Sequence, residues 1–217
     1  MDEPNKKYRQ MRLAHVKEAL EGNNFEVFLA ENVEEARKVV LEEILPKIEV
    51  KKISRGDSLT FEATGLHKEF RDDAGFDVID PFEEDLSDEE AYERCRQALY
   101  VDLFFTGTNA LTETGMLVNL DGWGNRVAGL TFGPKYVVLL IGRNKIVPDL
   151  DEAIFRIKDY AAPINAMRWD YKTPCVKTSF CEDCKSPQRI CNTWTITERS
   201  FPKGRVKVIL INEEFGF

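Results

Sequence analysis

Four of the chain's five cysteines fall in one stretch, "TPCVKTSFCEDCKSPQRICNTW", residues 173–194. Cys175, Cys181, Cys184 and Cys191 read C-x5-C-x2-C-x6-C. The Cys181-x-x-Cys184 pair can present two thiolates to one ion across a tight turn. Four sulfurs this close in sequence can close a tetrahedral zinc site or hold an iron–sulfur cluster. Both centres use four thiolates, so spacing does not choose between them. Lys177, Lys185 and Arg189 are interspersed, where they can offset thiolate charge or simply face water. Cys95, inside "AYERCRQALY", reads instead as a small core side chain in mid-helix. Metal is favoured over disulfide because the opening "MDEPNKKYRQMRLAH" is not a secretory signal. The expectation is a cytoplasmic protein, and stable disulfides are rare in that compartment.

Three loops and one lysine offer a second kind of chemistry. In "SRGDSLT" (54–60), Gly56 permits a tight turn, and Ser58 and Thr60 can add hydroxyl donors around an anionic group; the plain alternative is a turn with a helix cap. In "FTGTNALTETG" (105–115), Glu113 can serve as base or nucleophile if desolvated, or stand as a solvated hairpin charge. "DGWGNR" (121–126) offers Trp123 as a flat apolar surface and Arg126 as a cation able to grip a carboxylate or phosphate, unless it pairs with Asp121. Lys145 follows the apolar run "KYVVLLIG". His15 and His67 have no ligand-like spacing, and no "GxSxG", Walker A, "HExxH" or EF-hand pattern is present.

The elements that must position these residues alternate between helical and strand periodicity. Helices are expected over about residues 5–21, after Asn32, through "SLTFEATGLHKEF", after Ser87 (with Glu90 in a capping box), and through "DLDEAIFRIKDYAAPINAMRW", kinked or ended at Pro163. Strands are expected at "FEVFLA", "VKKIS", "FDVID", "VDLFFTG", "KYVVLLIG" and "RVKVILIN", with a hairpin or bulged excursion over "ALTETGMLVNLDGWGN", where Asp121-Gly122 is a strong turn signal. Strands separated by helices require crossovers, so the fold class is α/β with a mainly parallel, Rossmann-like sheet and a small Cys-rich segment at 173–194. With 217 residues, 43% hydrophobic, and no low-complexity linker, one domain over 1–217 is the expectation. In such sheets ligands collect beyond the carboxyl ends of the strands, where these loops lie.

Charge and hydropathy exclude some partners. A formal net charge of −8 disfavours non-specific binding to nucleic acid or anionic membrane. The longest strongly apolar run, Tyr136 to Gly142, is far short of the ~20 residues that span a bilayer.

The stretch "TGTNALTETGMLVNLDGWGNRVAGLTFGPKYVVLLIGRNKIV", then "AAPINAMR", "TPC", "CEDCKSPQRICN" and "NEEFGF", closely resembles the LUD (lactate utilisation) family, LutC/YkgG-like, from about Val50 onward. The resemblance implies an α/β domain of the ribose-phosphate isomerase and CoA transferase class. It also implies a part in oxidising L-lactate to pyruvate beside iron–sulfur partner subunits. It carries Asn109, Glu113, Gly115, Asn125 and Arg126 onto the family's ligand cleft, and the four cysteines onto its cysteine motif. The organic cofactor, if there is one, stays unnamed. Where the family shows Gly-Gly-Ser, this chain has Gly56-Asp57-Ser58, and the Asp57 carboxylate repels an anion unless it points away. Three functions follow: a lactate-utilisation component with a small anionic ligand, an isomerase or acyl transferase using Glu113, and a non-catalytic redox or scaffold module.

Overall fold

A computed structural model describes residues 3–217. Its centre is a six-stranded sheet in the order β1-β10-β7-β4-β2-β3. The strands are β1 (Glu26–Ala30), β2 (Lys52–Arg55), β3 (Asp77–Ile79), β4 (Leu103–Thr106), β7 (Tyr136–Gly142) and β10 (Val206–Ile211). Every neighbouring pair runs parallel. That explains the near-continuous apolar character of "YVVLLIG" and "VKVILI": both faces are covered, so both sets of alternating side chains are buried. One face packs on Leu13, Val16 and Leu20 of α1 (Glu3–Gly22). The other packs on Ala36 of α2 (Val33–Lys38), on Val40 and Ile44 of the wide turn after it, and on Phe61, Leu66 and Phe70.

Local signals place the covering helices. Asn32 caps α2 by accepting from Glu35 N at 2.9 Å. Ser87 and Glu90 close a full capping box at the start of α5 (Asp88–Gln97). The helix expected through "SLTFEATGLHKEF" divides into α3 (Leu59–Ala63) and α4 (Leu66–Asp72), because Gly65 sits at φ 71° between them. Pro163 does not end its helix. A wide π turn over Ile157–Ala161 joins α7 (Leu150–Arg156) to α8 (Ala162–Arg168), so Pro163 falls in a new first turn, where its missing N–H costs little.

A second sheet, in the order β8-β5-β6-β9, stands over the carboxyl ends of the first. It comprises β5 (Ala110–Thr112), β6 (Leu117–Asp121), β8 (Ile146–Val147) and β9 (Thr193–Thr197). The β5–β6 hairpin turns at Gly115 (φ 82°), not at Asp121-Gly122, which leads instead into α6 (Asn125–Thr131). The Cys-rich segment is shorter than its composition suggests: Thr193 and Trp194 belong to β9, which pairs with β6. α9 (Pro174–Thr178) is the segment's own helix. Among the described residues no helix is long and apolar enough to cross a membrane.

Candidate functional site

The strand ends dictate where a cleft must form. β2 ends into Gly56-Asp57-Ser58, β4 into Gly107-Thr108-Asn109, and β7 into the tight turn Arg143–Lys145. These loops meet the end of β6 and helix α8 around a cavity of about 1120 Å³. A cleft outside the carboxyl ends of parallel strands is the expected ligand position in an open α/β sheet.

Arg126 frames the cavity, where a free ligand-binding cation was the alternative. Its Nη1 donates to Asn119 Oδ1 (2.6 Å) and its Nη2 to Asn109 Oδ1 (2.8 Å) and Leu120 O (3.2 Å). Its Nε faces Asp121 Oδ2 at 3.3 Å. Burial pulls its pKa down and Asp121 opposes that. Asn109 is equally committed: its Oδ1 also accepts from Leu120 N at 3.0 Å. Gly56 makes the frame possible, since a Cβ there would lie 3.0 Å from Arg126 Cγ.

Lys145 is different. It is 6% exposed and lines the cavity, yet its amine has no ion pair or hydrogen bond with any described residue. Burial, then the nearby Arg156 and Arg126 cations, bring its pKa down to about 7. The other cations lining the cavity are partnered. Arg168 holds Asp57 through two bonds of 2.8 and 3.1 Å, and Arg189 bonds the Cys184 and Cys191 carbonyls. The Asp57–Arg168 pair answers the question raised by Gly-Asp-Ser: the carboxylate is neutralised at the rim.

The remaining sequence candidates divide. Ser58 lines the cavity while capping α3, accepting from Phe61 N at 3.3 Å. Thr60 lies behind the wall, donating to Phe215 O at 3.4 Å. Asn125 lines the cavity and donates to Cys95 Sγ at 3.2 Å; burial pushes the Cys95 thiol pKa up. Glu113 and Gly115 are not brought to the cleft. Glu113 pairs with Arg12 of α1 at 2.6 Å, and Gly115 is pressed against Ala19 and Leu20. The hairpin tip points at α1, so the spacing that put Glu113 after a central strand did not put it in the site. Sequence reasoning missed Asn119, Gly107 and Gly216. Asn119 is fully buried inside a strand whose five residues are all buried, where an amide among apolar residues was the signal.

The four cysteines are free thiols and line one small hollow with Lys158, Asp183 and Arg189. Burial pushes Cys191 up to about 11, and Cys191 packs against the apolar cluster of Ala153 and Ile157. Among the described residues no three His, Cys, Asp or Glu side chains stand close enough to hold an ion as placed. All four cysteines line that hollow with Lys158 and Arg189, and four thiolates are the donor set that zinc and iron–sulfur centres use.

The family model described as the LUD domain matches residues 13–211. The chain belongs to the LUD domain family. No curated protein matches it significantly. Among solved structures, this LUD domain is similar to a DUF162 family protein from Deinococcus radiodurans, with TM-score 0.51 and 14% identity over 94% of this chain and 98% of that one. At that identity the likeness shows the fold alone, and it agrees with the α/β architecture read from the sequence.

Proposed function

We propose that this LUD domain binds a small anion, a carboxylate or an anionic cofactor, in its cleft, and serves as a component of L-lactate oxidation to pyruvate. The family supports the metabolic context. One observation carries the ligand class: the amine of a buried lysine that lines a cavity, with no anion of the described residues paired with it. A bound carboxylate supplies the missing counter-charge, and a charge-assisted contact of this kind contributes about 1.5–3 kcal/mol. Calorimetric titration with oxalate, L-lactate and phosphate tests the reading. Binding of at least one is expected, weakened about tenfold or more in Lys145→Met. Equal binding by that variant, or no binding by the parent, sinks it.

The cysteine quartet is proposed as a zinc or iron–sulfur site held by Cys175, Cys181, Cys184 and Cys191. What supports this is their shared hollow. An iron–sulfur centre would carry electrons to redox partner subunits; zinc would only brace the segment. Metal analysis and absorption spectra of protein purified without oxygen distinguish the two. Glu113 has no part in the proposal, because its carboxylate is engaged with Arg12 outside the cleft.

A further inference from the structure

We propose that Lys145 is a nucleophile that forms an iminium with a 2-oxo acid in the cleft, an inference that rests on reading the cleft as an anion site. Geometry singles out this amine. A Cβ on Gly216 would lie 3.3 Å from its Nζ, and one on Gly107 would lie 3.8 Å away. Gly216 thus leaves room beside the nitrogen where a side chain would crowd it, and Gly107 stands at ordinary contact distance on another side. Glycine is also suited to the positive φ of 62° at Gly216.

The electrostatics suit attack better than simple anion capture. A lysine built only to hold an anion gains from being charged, yet Arg126 and Arg156 oppose a charge here. Desolvation beside other cations is how an amine is kept neutral and nucleophilic. With its pKa at about 7, the neutral fraction near neutral pH exceeds that of an ordinary lysine by about a thousandfold.

The same surroundings choose the substrate. An iminium is a fixed cation, and it would form between two arginines in a buried site. A carboxylate on the adjacent carbon neutralises it within the same small molecule, which is what a 2-oxo acid provides. The step balances without oxidant or reductant. The amine lone pair attacks the carbonyl carbon, and the carbonyl oxygen takes the proton released from nitrogen. The nitrogen lone pair then expels that hydroxyl, which leaves as water with one proton from solvent.

The test treats the full chain with pyruvate and sodium cyanoborohydride, followed by intact-mass and peptide mapping. One adduct per chain is expected, of pyruvic acid less one oxygen atom, on Lys145. It should form about tenfold or more faster than on any other lysine. Acetone should label the same site at least about tenfold more slowly, and oxalate should protect it. Lys145→Arg should remove the adduct, with folding checked by circular dichroism; oxalate protection of the parent protein makes the test independent of that variant. Labelling spread over surface lysines, equal labelling by acetone, or an unmodified Lys145 overturns the proposal. Calorimetry separates the two readings: oxalate binding without an adduct sinks the nucleophile alone, and absence of both sinks the anion site as well.

Discussion

The cleft and the cysteine segment each use an arginine to gather backbone carbonyls, but they use it in opposite settings. Arg126 has a side chain 11% exposed and is tied to Asp121, itself 8% exposed. Arg189 is 28% exposed, bonds the carbonyls of Cys184 and Cys191, and faces Asp183, which is 76% exposed. The first arginine is locked into the packed core of the domain. The second holds a surface loop whose Cys191 packs against the apolar cluster of Ala153 and Ile157. One region is preformed by folding, and the other gathers its four cysteines around a small hollow at the surface.

The largest expected effect is in the framework of the cleft. Arg126→Met leaves the buried Asp121 carboxylate without its cation, with Gly124 N still donating to it, and takes one donor each from the Asn109 and Asn119 amide oxygens. Breaking one side of a buried pair costs about 3–5 kcal/mol. Urea denaturation measures this, and a loss below about 1 kcal/mol would place the frame's stability elsewhere.

Lys145→Met is expected to move stability the other way. The folded-state pKa of Lys145 lies below its unfolded value, at about 7. Between about pH 7 and about pH 10 the unfolded chain therefore binds the extra proton, and stability rises with pH. The penalty is fully present below about pH 7 and amounts to up to about 5 kcal/mol. The variant should be more stable at about pH 6, should lose this pH dependence, and should bind anions poorly. Urea melts at about pH 6 and about pH 9.5 decide it; parallel curves for parent and variant would mean that the amine is solvated.

Anion binding should carry its own proton signature. A carboxylate beside Lys145 raises its pKa, so at about pH 8 binding takes up a proton, and affinity falls as pH rises above about 7. Calorimetry in buffers of different ionisation enthalpy counts that proton. The cysteine segment should respond to metal instead: zinc or iron should slow proteolysis within residues 173–192, and Cys184→Ser should abolish the protection. Protection without metal would mean that the loop is already closed.

The main sheet was legible because burial on both faces writes itself into "YVVLLIG" and "VKVILI", and because Asn32 and Ser87 announce helix starts. Lys145 was legible as a position, since it follows a strand end. Its isolation was not, because the missing partner depends on where Arg126 and Arg156 find theirs. Glu113 shows the reverse error. Its spacing was right for a cleft residue, but the direction of the hairpin belongs to the second sheet, and β8 and β9 are too short or too polar to be read from periodicity. Arg126 looked like a ligand grip because type and position fit, while its real partners, Asn109 and Asn119, are set by tertiary packing.

The smallest expected effect sharpens the contrast most. Arg189→Met removes the same side-chain chemistry as Arg126→Met, yet the groups it leaves, two loop carbonyls and an exposed carboxylate, can turn to water. Its cost without metal should be about 1 kcal/mol or less. At saturating metal the variant should stay below the parent by that cost plus its loss of metal affinity, because bound metal stabilises the folded chain by the logarithm of its affinity. The cation beside the sulfurs would still favour deprotonated ligands, so the metal affinity of the variant should be weaker, and more so at low pH. Competition with a chromophoric chelator at two pH values reads this directly. An equal, pH-independent affinity would show that Arg189 serves the backbone alone.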